Sequence, residues 1–560
     1  MLEQLRQQLS AKVDPVGWFS ASASVARSAA RNPAAVAAAT GKLAIGLAQI
    51  PPDTVRVAVG ADTEPPAPDD CRFRDPAWRD NPAYFAVLRA YLCARSYADR
   101  LVDAGADDAF KAAKARQFVH LLFDAAAPTN NPVTNPEVLT RAIATGGKNL
   151  ARGASYLVED IVKRGGRPQR IDESAFTLGE NMAATPGKVV FRNDLIEVIQ
   201  YAPQTDQVHA TPLLACPPWI NKYYIMDIAP GRSFVEWAIA HRRTVFLISY
   251  RNPDESMREV GFDDYLVDGV KAAMDVVEEI TGAPKIDVVG LCLGGAMASI
   301  AAGYLSGTND SRLGTLTLAN TLLDYSNPGD LGLLTDSDTL GKLDVLMARE
   351  GYLAGEDMAL TFDLLRANDL IFRYWVSRWM LGDKPQAFDL LAWNEDSTRM
   401  PAAMHSTYLR TLYGENQLAQ GAFTIAGQPI SLADVDSDVY IVGAIDDHIV
   451  PWESSYAGAL LFGGKARFVL SNGGHIAGIV NPPGKKSWVE TLGAPEDADT
   501  PALPTDSATW RTSAQRRTVS WWDDWAAWAG PRAGELQAPP PMGSVEHPAA
   551  GNAPGTYVFS

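Results

Sequence analysis

Three short segments carry the residue types that acyl-transfer chemistry requires. The first reads Gly290-Leu291-Cys292-Leu293-Gly294-Gly295, directly after the apolar run Ile286 to Val289 and before an Ala-rich stretch. A thiol framed by glycines between a strand and a helix matches the G-x-S-x-G turn, with cysteine in the serine place. Glycines suit such a turn because it leaves no room for neighbouring Cβ atoms. A helix N-terminus beneath a nucleophile favours negative charge on it and offers backbone N–H groups to a developing oxyanion. The second segment, Asp446-Asp447-His448, ends the apolar run DVYIVG. The third, Gly473-Gly474-His475, follows ARFVLS. Nucleophile, acid and base then stand in that order along the chain, each at a strand end. The expected assignment is Cys292 as nucleophile, Asp447 as acid and His475 as base. Asp446 is the rival acid, and His448 reads as structural support beside it.

An oxyanion hole needs two donors. One is the N–H of Leu293, next to the nucleophile. The other must come from the loop after LLACPP, where Pro217 and Pro218 have no N–H to give. Trp219, Ile220 or a neighbour can supply it, and Ile220 is the expected donor. Lys222 and Arg243 are cations that an anionic substrate could use, but as isolated charges they read as surface residues. His120 reads as ordinary helix. His209, His241, His405 and His547 lack companions at metal-ligand spacing, so neither a metal nor a cofactor is expected.

The elements that position these residues follow from hydropathy patterning. KVVFRNDLIEVIQY predicts a hairpin turning at Asn193-Asp194. TPLLACPP, RTVFLISY, KIDVVG, GTLTLAN, DVYIVG and ARFVLS predict strands buried on both faces, with helices between several of them. The expected fold class is α/β, an α/β-hydrolase fold with a mostly parallel sheet. About 113 residues between the fourth and fifth of those strands, 325–437, read as a helical cap insertion rich in aromatic residues. Residues 1–180 read as a mainly helical N-terminal domain and 181–560 as the catalytic domain. Within the first, Ile50 to Trp78 reads as loop because of its PPD and EPPAPDD breakers. One helix is expected from about Pro136 to Lys163. The tryptophans at 521, 522, 525 and 528 predict the packed face of a last helix. The Pro-rich tail after Pro531 reads as extended surface chain.

Composition narrows the function classes. With 560 residues, 47% apolar and 21% charged, the chain is long enough for a large core and is not of a disordered type. Four widely spaced cysteines argue against a disulfide scaffold or thiolate zinc site. A net charge of −17 opposes nucleic-acid or anionic-membrane binding. The opening MLEQLRQQLSAK lacks a signal-peptide core, and no transmembrane segment is expected. The default location is the cytoplasm.

Longer segments resemble one family, the polyhydroxyalkanoate synthases, which polymerise bacterial storage polyester. They include PPWINKYYIMDIAP, ISYRNP, VVGLCLGG, NDLIFRYWVSRWMLGDKP, FDLLAWNEDSTRMP, GAIDDHIVPW, GGHIAGIVNPPG and SWWDDWAAW. The likeness runs from about residue 80 onward, and the first 60 or so residues carry little of it. The resemblance implies an acylated thiol at Cys292, an acid at Asp447 and a base at His475. It also implies that Trp393 bears on dimerisation or activity, with cap packing as the alternative. Ala477, just past the base, resembles the single-subunit, short-chain-length (class I) group. The implied substrate is an (R)-3-hydroxyacyl-CoA of three to five carbons, with CoA released. The implied partners are the growing polyester, its granule surface, a second copy of the chain and granule-associated proteins. Rival readings of the same residues are a thioesterase or depolymerase, a small-molecule acyltransferase, and a granule-coating scaffold.

Overall fold

The computed structural model describes residues 14, 16–61, 67, 69–484, 486–497 and 501–560. The opening MLEQLRQQLSAK and parts of the loop before Asp69 lie outside them. The chain divides into two compact units, Met1–Asp172 with Ala359–Ala387, and Glu173–Met358 with Phe388–Ser560.

The first unit is helical: α1 (Trp18–Ala30), α2 (Pro33–Ala58), α3 (Pro82–Ala104), α4 (Ala109–Ala125), α5 (Pro136–Thr145) and α6 (Lys148–Arg164). Asn or Asp side chains cap α2, α3, α4 and α5 by accepting from first-turn N–H groups. Two sequence expectations are corrected here. The helix α2 runs through Pro51-Pro52 to Ala58, where a loop was expected. Proline's fixed φ is compatible with a helix, and the stretch is tied to α3 by an Arg89–Asp53 ion pair at 3.5 Å. The single helix expected from Pro136 is two, because Gly146 and Gly147 both take positive φ (59° and 81°). By length and composition α2 is also able to cross a bilayer, which qualifies the expectation that no segment could. Residues 359–387, inside the long insertion, belong to this unit. There the Arg378 guanidinium and the Trp379 indole both donate to buried Asp160, at 2.7 and 2.8 Å.

The second unit is built on an eleven-stranded sheet. Its strands are β1 (Gly187–Arg192), β2 (Ile196–Tyr201), β3 (Leu213–Cys216), β4 (Val245–Tyr250), β5 (Ile286–Leu291), β6 (Leu313–Ala319), β7 (Val439–Ala444), β8 (Ala466–Ser471), β9 (Val489–Thr491), β10 (Gln515–Arg517) and β11 (Gly551–Asn552). The spatial order is β10-β9-β8-β7-β6-β5-β3-β4-β2-β1-β11. The six strands from β8 to β4 are parallel, and the strands outside them run antiparallel. Every residue of β2, β3, β5 and β7 is buried, including the polar Glu197 and Gln200 of β2 and Asp287 of β5. This is the α/β-hydrolase architecture that the strand pattern predicts.

The C-terminal region is more integrated than an extended surface tail. The strand β11 joins the sheet edge, Leu536–Gln537 pairs with Val208–His209, and buried Glu197 accepts from the N–H groups of Thr556 and Tyr557. Before it, the last long helix packs four tryptophans into the core. Asp524 on that helix is fully buried and accepts from Arg467 (3.0 and 2.9 Å), Arg517 (2.8 Å) and the Tyr440 hydroxyl (2.9 Å). Removing one member of a buried ionic cluster leaves the other charge uncompensated. Asp524→Ala should therefore cost about 3–5 kcal/mol, read as a lower urea midpoint than wild type. An unchanged midpoint would show that this cluster does not hold the last helix to the sheet.

Candidate active site

The parallel strands end along one edge of the sheet, and that edge gathers the three segments. Cys292 follows β5 directly and caps α7 (Leu293–Gly307), with φ 50° and ψ −118°. An L-residue rarely adopts that backbone, and close packing on both sides enforces it. A Cβ at Gly290 would lie 2.5 Å from the Gly295 Cα, and one at Gly294 would lie 2.5 Å from the Pro217 carbonyl oxygen. Strand end, helix start and the loop after β3 are thus in backbone contact. The Cys292 N–H donates to the Ala319 carbonyl at 2.9 Å, which ties the turn to the end of β6.

His475 opens a short helix, α8 (His475–Ile479), after β8. Its Nδ1 lies 2.7 Å from Asp447 Oδ2. The other Asp447 oxygen accepts from the N–H groups of Ile449 and Val450, both at 2.9 Å. Asp447 and His475 are buried, whereas Asp446 is exposed. Geometry therefore separates the two adjacent aspartates, which the sequence left as rivals. His448 is half-buried on the same loop. The Asn320 side chain donates to the His475 carbonyl at 2.5 Å and fixes the backbone that presents the ring.

Burial alone would push the His475 imidazole down, but the Asp447 carboxylate and then the Cys292 sulfur push it up. Together they hold it well above its ordinary value. The native chain thus binds this proton more tightly than the unfolded chain does. The stability it brings is complete below about pH 6.5 and is lost as pH rises through the raised value. Cys216, one strand away from Cys292, is a contrast. It is fully buried among apolar groups, and burial pushes its thiol up to about 12.

Leu293 is the first residue of α7, so its N–H has no acceptor within the helix. Ile220 sits half-buried in the loop that Gly294 touches through Pro217. Trp393, on the short helix Asp389–Glu395, is buried. Its indole donates to the Lys222 carbonyl at 2.7 Å and so braces this same loop. Ala477 is exposed on α8. The reading of Lys222 and Arg243 as surface cations is corrected, since both are buried. Arg243 Nη2 donates to Asp287 Oδ2 at 2.5 Å, at the N-terminal ends of β4 and β5 and so at the opposite sheet edge from Cys292. The Lys222 ammonium donates to the Ser560 carbonyl at 2.6 Å. Sequence reasoning also missed Asn320, whose contact spans 155 residues and leaves no local signal.

Asp447→Asn removes the charge that raises His475 while an oxygen remains for the two backbone donors. Burial should then dominate, and His475 should titrate at least about 1 unit lower than in wild type. NMR titration of histidines labelled at Cε1 measures this. An unmoved resonance would mean that Asp447 does not set the proton affinity of His475.

Comparison with known proteins extends these observations. Residues 69–238 match the family model described as the poly-beta-hydroxybutyrate polymerase (PhaC) N-terminus, and residues 230–482 match the alpha/beta hydrolase fold. The chain is 39% identical over 516 residues to the poly(3-hydroxyalkanoate) polymerase subunit PhaC of Rhizobium meliloti, covering 90% of this chain and 82% of that protein. It is 38% identical to poly(3-hydroxyalkanoate) polymerase 1 of Ectopseudomonas oleovorans, over 90% of this chain and 88% of the relative. Identity to the corresponding Cupriavidus necator subunit is 39%, over 87% and 83% of the two chains. A hydrolase-type sheet with a thiol, an imidazole and a carboxylate at its edge, and relatives of this extent, place the chain in the poly(3-hydroxyalkanoate) polymerase family.

Proposed function

We propose that the chain joins (R)-3-hydroxyacyl-CoA monomers into polyester through a covalent acyl-cysteine at Cys292. The observation that carries this reading is the Asp447–His475 contact at 2.7 Å, beside a thiol in a strained strand-to-helix turn. His475 takes the Cys292 proton, and the thiolate attacks the thioester carbonyl. The N–H groups of Leu293 and Ile220 face the oxyanion. The tetrahedral adduct collapses, and the protonated His475 gives its proton to the leaving sulfur, so that CoA departs as the thiol. Exchange of one thioester for another is close to thermoneutral, so a thiol carrier suits a reversible loading step. The 3-hydroxyl of a bound unit or chain end then attacks the acyl-cysteine, and its proton passes to His475, oriented by Asp447. An ester bond forms and the thiol is regenerated.

This reading takes no cofactor. Its substrates are short acyl chains, and Ala477 and the likeness to single-subunit synthases support the short-chain group. The location is the cytoplasm at the surface of polyester granules, with a homodimer as the working form. Trp393 supports activity by bracing the loop that carries Ile220.

The deciding experiment follows free CoA and insoluble product together, with (R)-3-hydroxybutyryl-CoA, for wild type and Cys292→Ala. The expected outcome is CoA release with high-mass polyester in wild type, and loss of both by at least about 10³-fold in the variant. CoA release with soluble 3-hydroxybutyrate alone would make the chain a thioesterase.

A further inference from the structure

Four aromatic rings form a continuous wall in the second unit. Trp219 meets Tyr408 edge-on at 5.8 Å, Tyr408 meets Tyr413 at 5.4 Å, and Tyr413 meets Tyr325 at 4.7 Å. His405, one turn before Tyr408, lies against it at 6.3 Å. Cys292 packs against the same core cluster. All three phenols are pushed up, by burial first and then by their neighbours, and the Cys292 sulfur is among those neighbours for each.

This wall carries polar atoms that nothing satisfies. Trp219 Nε1 and His405 Nδ1 are buried and have no hydrogen-bond partner, and Tyr325 Oη, beside the Tyr408 hydroxyl, makes no well-formed hydrogen bond. Their residues are 2%, 3% and 3% exposed, so bulk solvent barely reaches them. Buried polar groups are nearly always paired, and an unpaired one calls for an explanation. Three in one ring-to-ring contact network beside a nucleophile call for a shared one. Burial also pushes His405 down to about 3, so its ring stays neutral and brings no charge to the wall.

We propose that this aromatic wall is a binding subsite for the oxygen atoms of the ester chain carried on Cys292, with Tyr325 Oη and Trp219 Nε1 donating to its hydroxyl or ester oxygens. The inference rests on the acyl-cysteine reading above. An ester chain of 3-hydroxy acids presents acceptor oxygens at intervals along an apolar body. A mostly aromatic surface with a few fixed donors is the complement of such a chain. A site built to pair with a substrate oxygen also discriminates strongly against the analogue that lacks it, because the donor is then left buried and unpaired.

The test compares single-turnover acylation of Cys292 in the full chain by (R)-3-hydroxybutyryl-CoA and by butyryl-CoA, which lacks the 3-oxygen. Adducts are followed by intact-protein mass spectrometry. Wild type should favour the hydroxyacyl ester by about tenfold or more. Tyr325→Phe keeps the ring and should slow only the hydroxyacyl ester, shrinking the preference to about threefold or less. Its thermal midpoint should stay close to that of wild type, since the hydroxyl it lacks makes no well-formed hydrogen bond in the fold. A preference that survives in the variant, equal slowing of both esters, or a lower midpoint would each overturn the proposal. So would a wild type with no preference. No adduct from either ester in wild type would instead overturn the acyl-cysteine reading, and this inference with it.

Discussion

At Cys292 the end of a buried strand, the start of a helix and a neighbouring loop are packed backbone to backbone. Gly290 faces the Gly295 backbone, Gly294 faces the Cys216 and Pro217 carbonyls, and Gly295 faces the Thr321 side chain. None of these positions has room for a Cβ, so the turn has essentially one geometry, and the unusual backbone angles of Cys292 follow from it. The consequence is positional. The same contact that strains the thiol's backbone brings in the loop with Trp219 and Ile220, and the loop that follows β6. Trp393 then braces the first of these from behind through Lys222. The site is assembled by packing at one point on the sheet edge, and the remaining strands serve to hold that edge in place.

Buried carboxylates divide by what neutralises them. Asp287 is met by Arg243, Asp524 by Arg467 and Arg517, and Glu197 by Arg192 with backbone N–H groups of the C-terminal segment. Guanidinium groups do not give up their proton, so those sites are electrostatically fixed. Asp447 differs. Its partners are two backbone N–H groups and an imidazole, and only the imidazole can exchange a proton. Within these four, the carboxylate beside the thiol is the one paired with an imidazole. That distinguishes a site that can move a proton from ion pairs that merely fasten strands and helices.

What could be read from the sequence follows from how local each signal is. The six parallel strands were legible because burial on both faces forces unbroken apolar runs such as RTVFLISY and ARFVLS. Order and strand-end position were enough to single out Cys292, His475 and the Asp446-Asp447 pair. Asp447 was the expected acid, and what the sequence could not show is its hydrogen bond across 28 residues and the exposure of its neighbour Asp446. Arg243 was read as a surface charge because its partner Asp287 lies 44 residues away and a lone cation shows no sign of pairing. The path of the C-terminal segment was illegible for the same reason, since its anchors Glu197 and Gln200 lie more than 300 residues upstream. The break at Gly146-Gly147 was present in the sequence as a glycine pair, and helical periodicity on either side masked it.

The indole groups show why the pattern of unpaired atoms carries meaning that burial alone does not. Trp393 donates to a backbone carbonyl, as do Trp521 and Trp522, while Trp525 donates to the Thr317 hydroxyl. These tryptophans fill the core and satisfy their one polar atom, which is what structural packing selects. Trp219 is as deeply buried and leaves its N–H unpaired. Trp510 does too, among Trp452, Tyr456 and Phe468, so a lone orphan is not diagnostic. What sets Trp219 apart is continuity. Its ring connects through Tyr408 and Tyr413 to the unpaired Tyr325 hydroxyl, and those three phenols are within electrostatic reach of the thiol. A fold selected for stability alone gains by placing apolar side chains at such positions. Retaining several unmatched polar atoms along one surface beside a nucleophile is the arrangement expected where the missing partners arrive with the substrate.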